Sequence, residues 1–186
     1  MSDRVGEVIA TRTVADGGHP VLIEMGRPTQ PVDGMGTTGF RIAGLGEFTA
    51  TGVDGMAALY NALVEVGTIL ARANDKGHRF TVLDPSTMGF PVAPSRPRVA
   101  EPAAQPPRAE VIALRILITE GGPCAVEIGR PTRAPGQSYY ICRFRIDGKR
   151  EAVASGVDEI QALLTALRMI GAWLMLPTDW PLSRAS

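Results

Sequence analysis

Four charged residues, Arg12, Glu24, Arg27 and Arg41, return later in the chain as Arg115, Glu127, Arg130 and Arg145. Each set offers three guanidinium groups and one carboxylate. Guanidinium forks held in fixed positions bind carboxylates or phosphates in a two-pronged way, so the recurring chemistry is ionic recognition rather than proton transfer. Arg27 and Arg130 each precede a proline at a strand end. The sequence gives no packing reason for an arginine there, which makes these two the first candidates for contact with a partner. Glu24 and Arg41, like Glu127 and Arg145, fall on the outward parity of neighbouring strands. They read either as cross-strand ion pairs that keep a sheet face solvated or as part of the same binding face. Tyr139 and Tyr140, in a loop of the second half alone, extend that candidate surface.

Catalytic chemistry has weaker footing. His19 sits in a Gly-Gly-His-Pro turn and His78 follows Lys76-Gly77. Neither histidine recurs, and neither has a second His or Cys at ligand spacing, so no metal or other cofactor is expected. Cys124 and Cys142 are the only cysteines. They fall on the apolar parity of adjacent strands, where cysteine behaves as a small buried hydrophobe, and no recurring histidine stands by as an activating base. The remaining shared carboxylates are Glu47 with Glu151 and Asp54 with Asp158; the aspartates are placed to cap helices. No glycine-rich phosphate cradle follows a strand, and Asp33-Gly34-Met35-Gly36 reads as a hairpin loop. No catalytic residue is assigned.

The elements that must position these groups occur twice. Glu7-Val8-Ile9-Ala10-Thr11-Arg12 returns as Glu110-Val111-Ile112-Ala113-Leu114-Arg115, and Glu24-Met25-Gly26-Arg27-Pro28-Thr29 as Glu127-Ile128-Gly129-Arg130-Pro131-Thr132. After one inserted residue, Phe40-Arg41-Ile42 matches Phe144-Arg145-Ile146 and Gly52-Val53-Asp54 matches Gly156-Val157-Asp158. This is a tandem duplication: copy one over residues 1–91, a Pro/Ala/Arg-rich linker over 92–109, and copy two over 110–186. Prolines fix the linker as an extended spacer.

Period-two alternation marks four strands in each copy. A helix then follows, with a stripe of Leu59, Leu63, Val66 and Leu70, repeated as Leu163, Leu167, Ile170 and Leu174. The expected fold class is α+β: two tandem two-layer sandwiches, each a four-stranded antiparallel meander with one helix across a face. Copy one continues into a fifth strand over 78–83 and a Gly89-Phe90-Pro91 tail, whereas copy two reads as shortened at its C-terminus and lacking that tail. The first strand of copy two is apolar on both parities, where copy one has Thr11 and Thr13. A strand of that kind is usually covered on both faces, which predicts packing against copy one, a homodimer mate or another partner.

Ile9-Ala10-Thr11-Arg12-Thr13, the Gly-Arg-Pro step, Cys142-Arg143-Phe144-Arg145-Ile146 and Gly156-Val157-Asp158 with Gln161-Ala162-Leu163 resemble a small bacterial domain family of unknown function. Proteins of that family are usually single domains. The resemblance covers both copies and implies no activity. Copy one departs from the pattern by lacking the cysteine.

Charge and composition narrow the remaining classes. The formal net charge is zero, with 19 basic and 19 acidic residues, so no nucleic-acid partner is expected. The N-terminal residues lack the apolar run of a signal peptide and no apolar stretch is long enough to span a bilayer. A cytoplasmic protein with reduced thiols and no membrane partner is the expectation. The functional expectation is a non-enzymatic protein-binding module, of inhibitory or immunity type. The alternatives are a small-ligand binder or enzyme with a site between the two copies, and a structural or assembly subunit.

Overall fold

The computed structural model describes residues 5–32, 35–81, 89–91, 110–119, 122–147, 150–177 and 180–181. The linker over 92–109 lies outside them. Copy one runs β1 (Val8–Asp16), β2 (His19–Gly26), β3 (Thr29–Val32), β4 (Met35–Ile42), β5 (Gly46–Gly52), α1 (Gly55–Asp75) and β6 (Phe80–Thr81). Copy two runs β7 (Val111–Thr119), β8 (Gly122–Gly129), β9 (Thr132–Arg133), β10 (Tyr140–Ile146), β11 (Arg150–Gly156) and α2 (Glu159–Trp173).

The expected meander is present twice. β5, β4, β2 and β1 pair antiparallel in that spatial order, as do β11, β10, β8 and β7, and the short β3 and β9 attach to β4 and β10. The fifth strand of copy one is limited to Phe80–Thr81, which pairs with Ala15 and Asp16 on the far end of β1; residues 82 and 83 lie outside the described residues. Register sends one parity of each strand to the helix side: Ile23 with Ile42, and Met25 with Phe40. A bulge at Val8/Ala10 and its repeat at Val111/Ala113 break the alternation. As a result Ile9 with Ala10, and Ile112 with Ala113, are buried as consecutive pairs.

Asp54 and Asp158 cap the helices as expected, accepting from the backbone N–H of Ala57 and Gln161 at 2.8 and 2.7 Å. The apolar stripes are buried in both helices. The two copies are not separate beads on a linker, because residues of both join one continuous apolar core. Helix α1 contacts β7 and helix α2 contacts β1, so each helix serves its own sheet and the edge of its neighbour's.

One expectation needs correction. Copy two is shortened, but it has not lost its tail. Phe90 lies against Gly67 of α1, and Trp180 lies against Gly171, the corresponding residue of α2. The indole of Trp180 donates to the Leu167 carbonyl at 3.2 Å. The chain therefore reaches the same place by a shorter path and with a larger ring. The two faces of β7 differ. Its inward parity enters the shared core through Ala113 and Leu117, yet Leu114, Ile116 and Ile118 remain 46%, 54% and 63% exposed. The described residues of copy one do not cover that outer face.

Candidate functional site

Burial of two arginines organises the seam between the copies. Arg12 and Arg115 stand on the helix side of β1 and β7, at 3% and 5% exposure. Arg12 donates Nε and Nη2 to the two carboxylate oxygens of Asp158 at 2.8 and 2.9 Å, and Nη1 to the Gly89 carbonyl. Its guanidinium lies 4.7 Å from the centre of the Phe90 ring. Arg115 repeats the arrangement, gripping both oxygens of Asp54 and lying 4.8 Å from the Trp180 ring. Each capping aspartate thus has a second duty: it starts its own helix and holds the other copy.

Arg27 and Arg130 lie at the same seam. Arg27 donates to Glu7 at 2.6 Å, to Glu110 and to the Val111 carbonyl at 3.2 Å. Arg130 donates to Glu7 at 2.7 Å and to the Val8 carbonyl at 2.8 Å, with Glu110 at 3.6 Å. Val8 and Val111 are equivalent residues, so the two arginines cross symmetrically, each reaching into the opposite copy. The foremost effect on Glu7 is the hydrogen bond from Arg27, reinforced by Arg130, and it holds the carboxyl below its ordinary pKa. Glu7 and then Glu110 in turn raise Arg27. These loop arginines therefore have a structural reason to exist, which the linear sequence does not display. Glu7 and Glu110 recur as plainly as the arginines, but their meeting depends on the docking of the copies.

The remaining charged candidates lie away from the seam, on the helix-free sheet faces. Glu24 sits opposite Arg41 and accepts from it at 2.6 Å; Glu127 sits opposite Arg145 and accepts from Nε at 2.9 Å. Both are the cross-strand pairs that parity predicts. Tyr139 is 38% exposed, whereas Tyr140 packs partly against the core. Cys142 is fully buried, which pushes its thiol pKa up, and Cys124 is half-buried. His78 pairs with Asp16 at 2.6 Å, and the described residues hold no cluster of three metal-ligating groups. No helix among them is long and apolar enough to cross a membrane.

The family model for a domain of unknown function, DUF6968, matches residues 10–92 and again 113–180. The chain belongs to the DUF6968 family, with two copies in one polypeptide. No curated protein and no solved structure shows significant similarity to it.

The two DUF6968 copies are symmetric where they hold each other and asymmetric at their edges. Thr11 donates its backbone N–H and its hydroxyl to Glu159 at 2.6 and 2.8 Å. The related pair is Leu114 and Gly55, which have no such side-chain groups. Beside that gap lies an open cleft of about 590 Å³, lined by residues that include Glu7, Arg27, Thr37, Gly39, Thr49 and Leu114. Thr37, Gly39 and Thr49 on its copy-one wall correspond to Ile141, Arg143 and Val153 in copy two. Arg143 is 6% exposed, with Nη1 at 3.4 Å from Glu151 and Nη2 buried without a hydrogen-bond partner among the described residues. The sequence marks these substitutions position by position, but only the docked arrangement shows that they border one cleft.

Proposed function

We propose that this chain is a non-enzymatic binding module that takes an extended strand of another protein on the open edge of β7. The supporting observation is the row of exposed β-branched residues Ile116 and Ile118 at that edge. Their counterparts in copy one are Thr13 and Ala15, so copy two has replaced a polar and a small side chain by large apolar ones on a solvent-facing strand. Natural proteins normally blunt such edges. In copy one the equivalent edge is closed, because β6 pairs with Ala15 and Asp16. Among the described residues no strand pairs with that side of β7, which ends its sheet. The occupant suited to the place is of the kind β6 supplies in copy one, where extended backbone brings the buried side chain of Phe80: a strand of extended backbone with an apolar side chain.

The full chain and a double variant, Ile116→Thr with Ile118→Ala, serve as parallel baits for the native host's proteins. A recovered protein should fall about tenfold with the variant, the loss expected from removing two buried apolar contacts. Adding that protein should protect the Ile116–Thr119 amides from hydrogen exchange. Equal recovery by both baits, or an unprotected edge in the complex, overturns the reading. So does a dimer of the chain itself that dissociates in the variant, since the occupant would then be a second copy.

A further inference from the structure

The outer edge of β1 is closed at both ends, by Glu159 at Thr11 and by β6 at Ala15 and Asp16. The first half of β7 lacks the equivalent of Glu159. Because the Thr11 N–H donates outward from β1 to that carboxylate, the corresponding N–H of Leu114 projects from the outer edge of β7. Position 55, which answers to Glu159, is glycine, so the carboxylate that meets the Thr11 N–H has no counterpart at Leu114. An edge amide without a partner is an available donor, and Leu114 lines the inter-copy cleft.

Other features of the cleft favour an occupant. Its volume of about 590 Å³ lies within the roughly 300–1,000 Å³ typical of small-molecule sites. Gly39, Thr37 and Thr49 leave room where copy two carries Arg143, Ile141 and Val153. Pro28 and Val111 give an apolar wall, and Arg27 contributes a guanidinium. The four charges of the Arg27, Arg130, Glu7 and Glu110 cluster balance. Selectivity for an anion would then come from aimed N–H groups rather than from net charge.

We propose that the cleft on the copy-one side of the seam binds a small organic carboxylate with an apolar body, the ligand carboxylate taking at Leu114 the place that Glu159 holds at Thr11. The related position in copy two already has its own carboxylate in Glu159, and bulkier side chains border it. The arrangement therefore predicts one ligand per chain.

Amide-resolved NMR titration of the full chain with hexanoate and benzoate, beside hexanol and benzyl alcohol, tests the assignment. The Leu114 amide should shift and saturate with a carboxylate, and the matching alcohol should bind at least about tenfold more weakly, the worth of one charge-assisted hydrogen bond. Gly55→Glu, which installs the built-in acid of copy two, should weaken binding by a similar factor. Gly39→Arg should weaken it independently, and a native-like amide spectrum shows that each variant is folded. Failure of both carboxylates to move Leu114, equal binding of the alcohols, or unchanged binding by both folded variants overturns the proposal.

Discussion

Arg12 and Asp158 join the two copies through a two-pronged ion pair, 2.8 and 2.9 Å long, in which the arginine side chain is only 2% exposed. Asp158 at the same time accepts from the Gln161 N–H as the cap of α2. Helix start and copy docking are therefore one structural event, and Arg115 with Asp54 repeats it in the other direction. With one apolar core running through both copies, the duplicated chain is built as a fused pseudo-dimer.

Replacing Arg12 with alanine leaves a partly buried carboxylate without its partner, and breaking such a pair costs about 3 kcal/mol. Both tryptophans, Trp173 and Trp180, belong to copy two. The urea transition read by their fluorescence should nevertheless move to lower denaturant in Arg12→Ala, a copy-one substitution. An unchanged tryptophan transition would mean that the copies unfold separately.

Gly67→Ala tests the fit of the copy-one tail. Alanine is ordinarily favoured over glycine inside a helix by about 1 kcal/mol. Here its Cβ would come within 2.9 Å of the Phe90 Cβ, near the main chain, where a ring cannot simply swing aside. Overpacking of this kind costs about 1–3 kcal/mol, so the net change should be destabilising. Thermal melts of Gly67→Ala alone and with Phe90→Gly, which removes the contacted Cβ, distinguish the cause. If the alanine still destabilises to the same extent without the Phe90 Cβ, the clash is not its source.

Periodicity was enough to read the meander, the helix stripe and the capping aspartates, because each depends on neighbours within one element. The Glu24–Arg41 and Glu127–Arg145 pairs were legible for the same reason: strand parity places them opposite each other. What parity does not convey is which surface of one copy meets the other. Arg27 and Arg130 thus read as free loop arginines until Glu7 and Glu110 were brought to them by docking. The tail of copy two is hidden from the sequence for a different reason. Trp180 reaches Gly171 along a much shorter stretch of chain than Phe90 takes to Gly67, so no fixed offset aligns the two aromatic residues.

The cysteines should differ sharply towards thiol reagents. Cys142 is fully buried and its Sγ lies 3.4 Å from the Gly129 carbonyl, with desolvation disfavouring the thiolate. Cys124 is half-buried on β8. Since the thiolate is the reactive form, iodoacetamide should label Cys124 in the native protein and reach Cys142 only after unfolding. Mass spectrometry of the labelled peptides checks the order, and native labelling of Cys142 at a comparable rate would contradict the burial that the fold gives it.

Acid should loosen the seam through Glu7. Its carboxyl pKa is held below the ordinary 4.5, foremost by the hydrogen bond from Arg27. A depressed folded-state pKa contributes stability that is present above the unfolded value and lost as pH falls through the folded one. Glu7→Gln should therefore be less stable than the parent near neutral pH, and the gap should begin to narrow as pH falls towards the ordinary carboxylate range and close only below the depressed folded-state value. Because the charges around Glu7 are solvent-accessible, added salt should narrow the same gap at neutral pH. Urea midpoints for both proteins across pH and salt measure it. A gap that is constant across the whole pH range would assign the effect of the substitution to packing rather than to the arginines that cross between the copies.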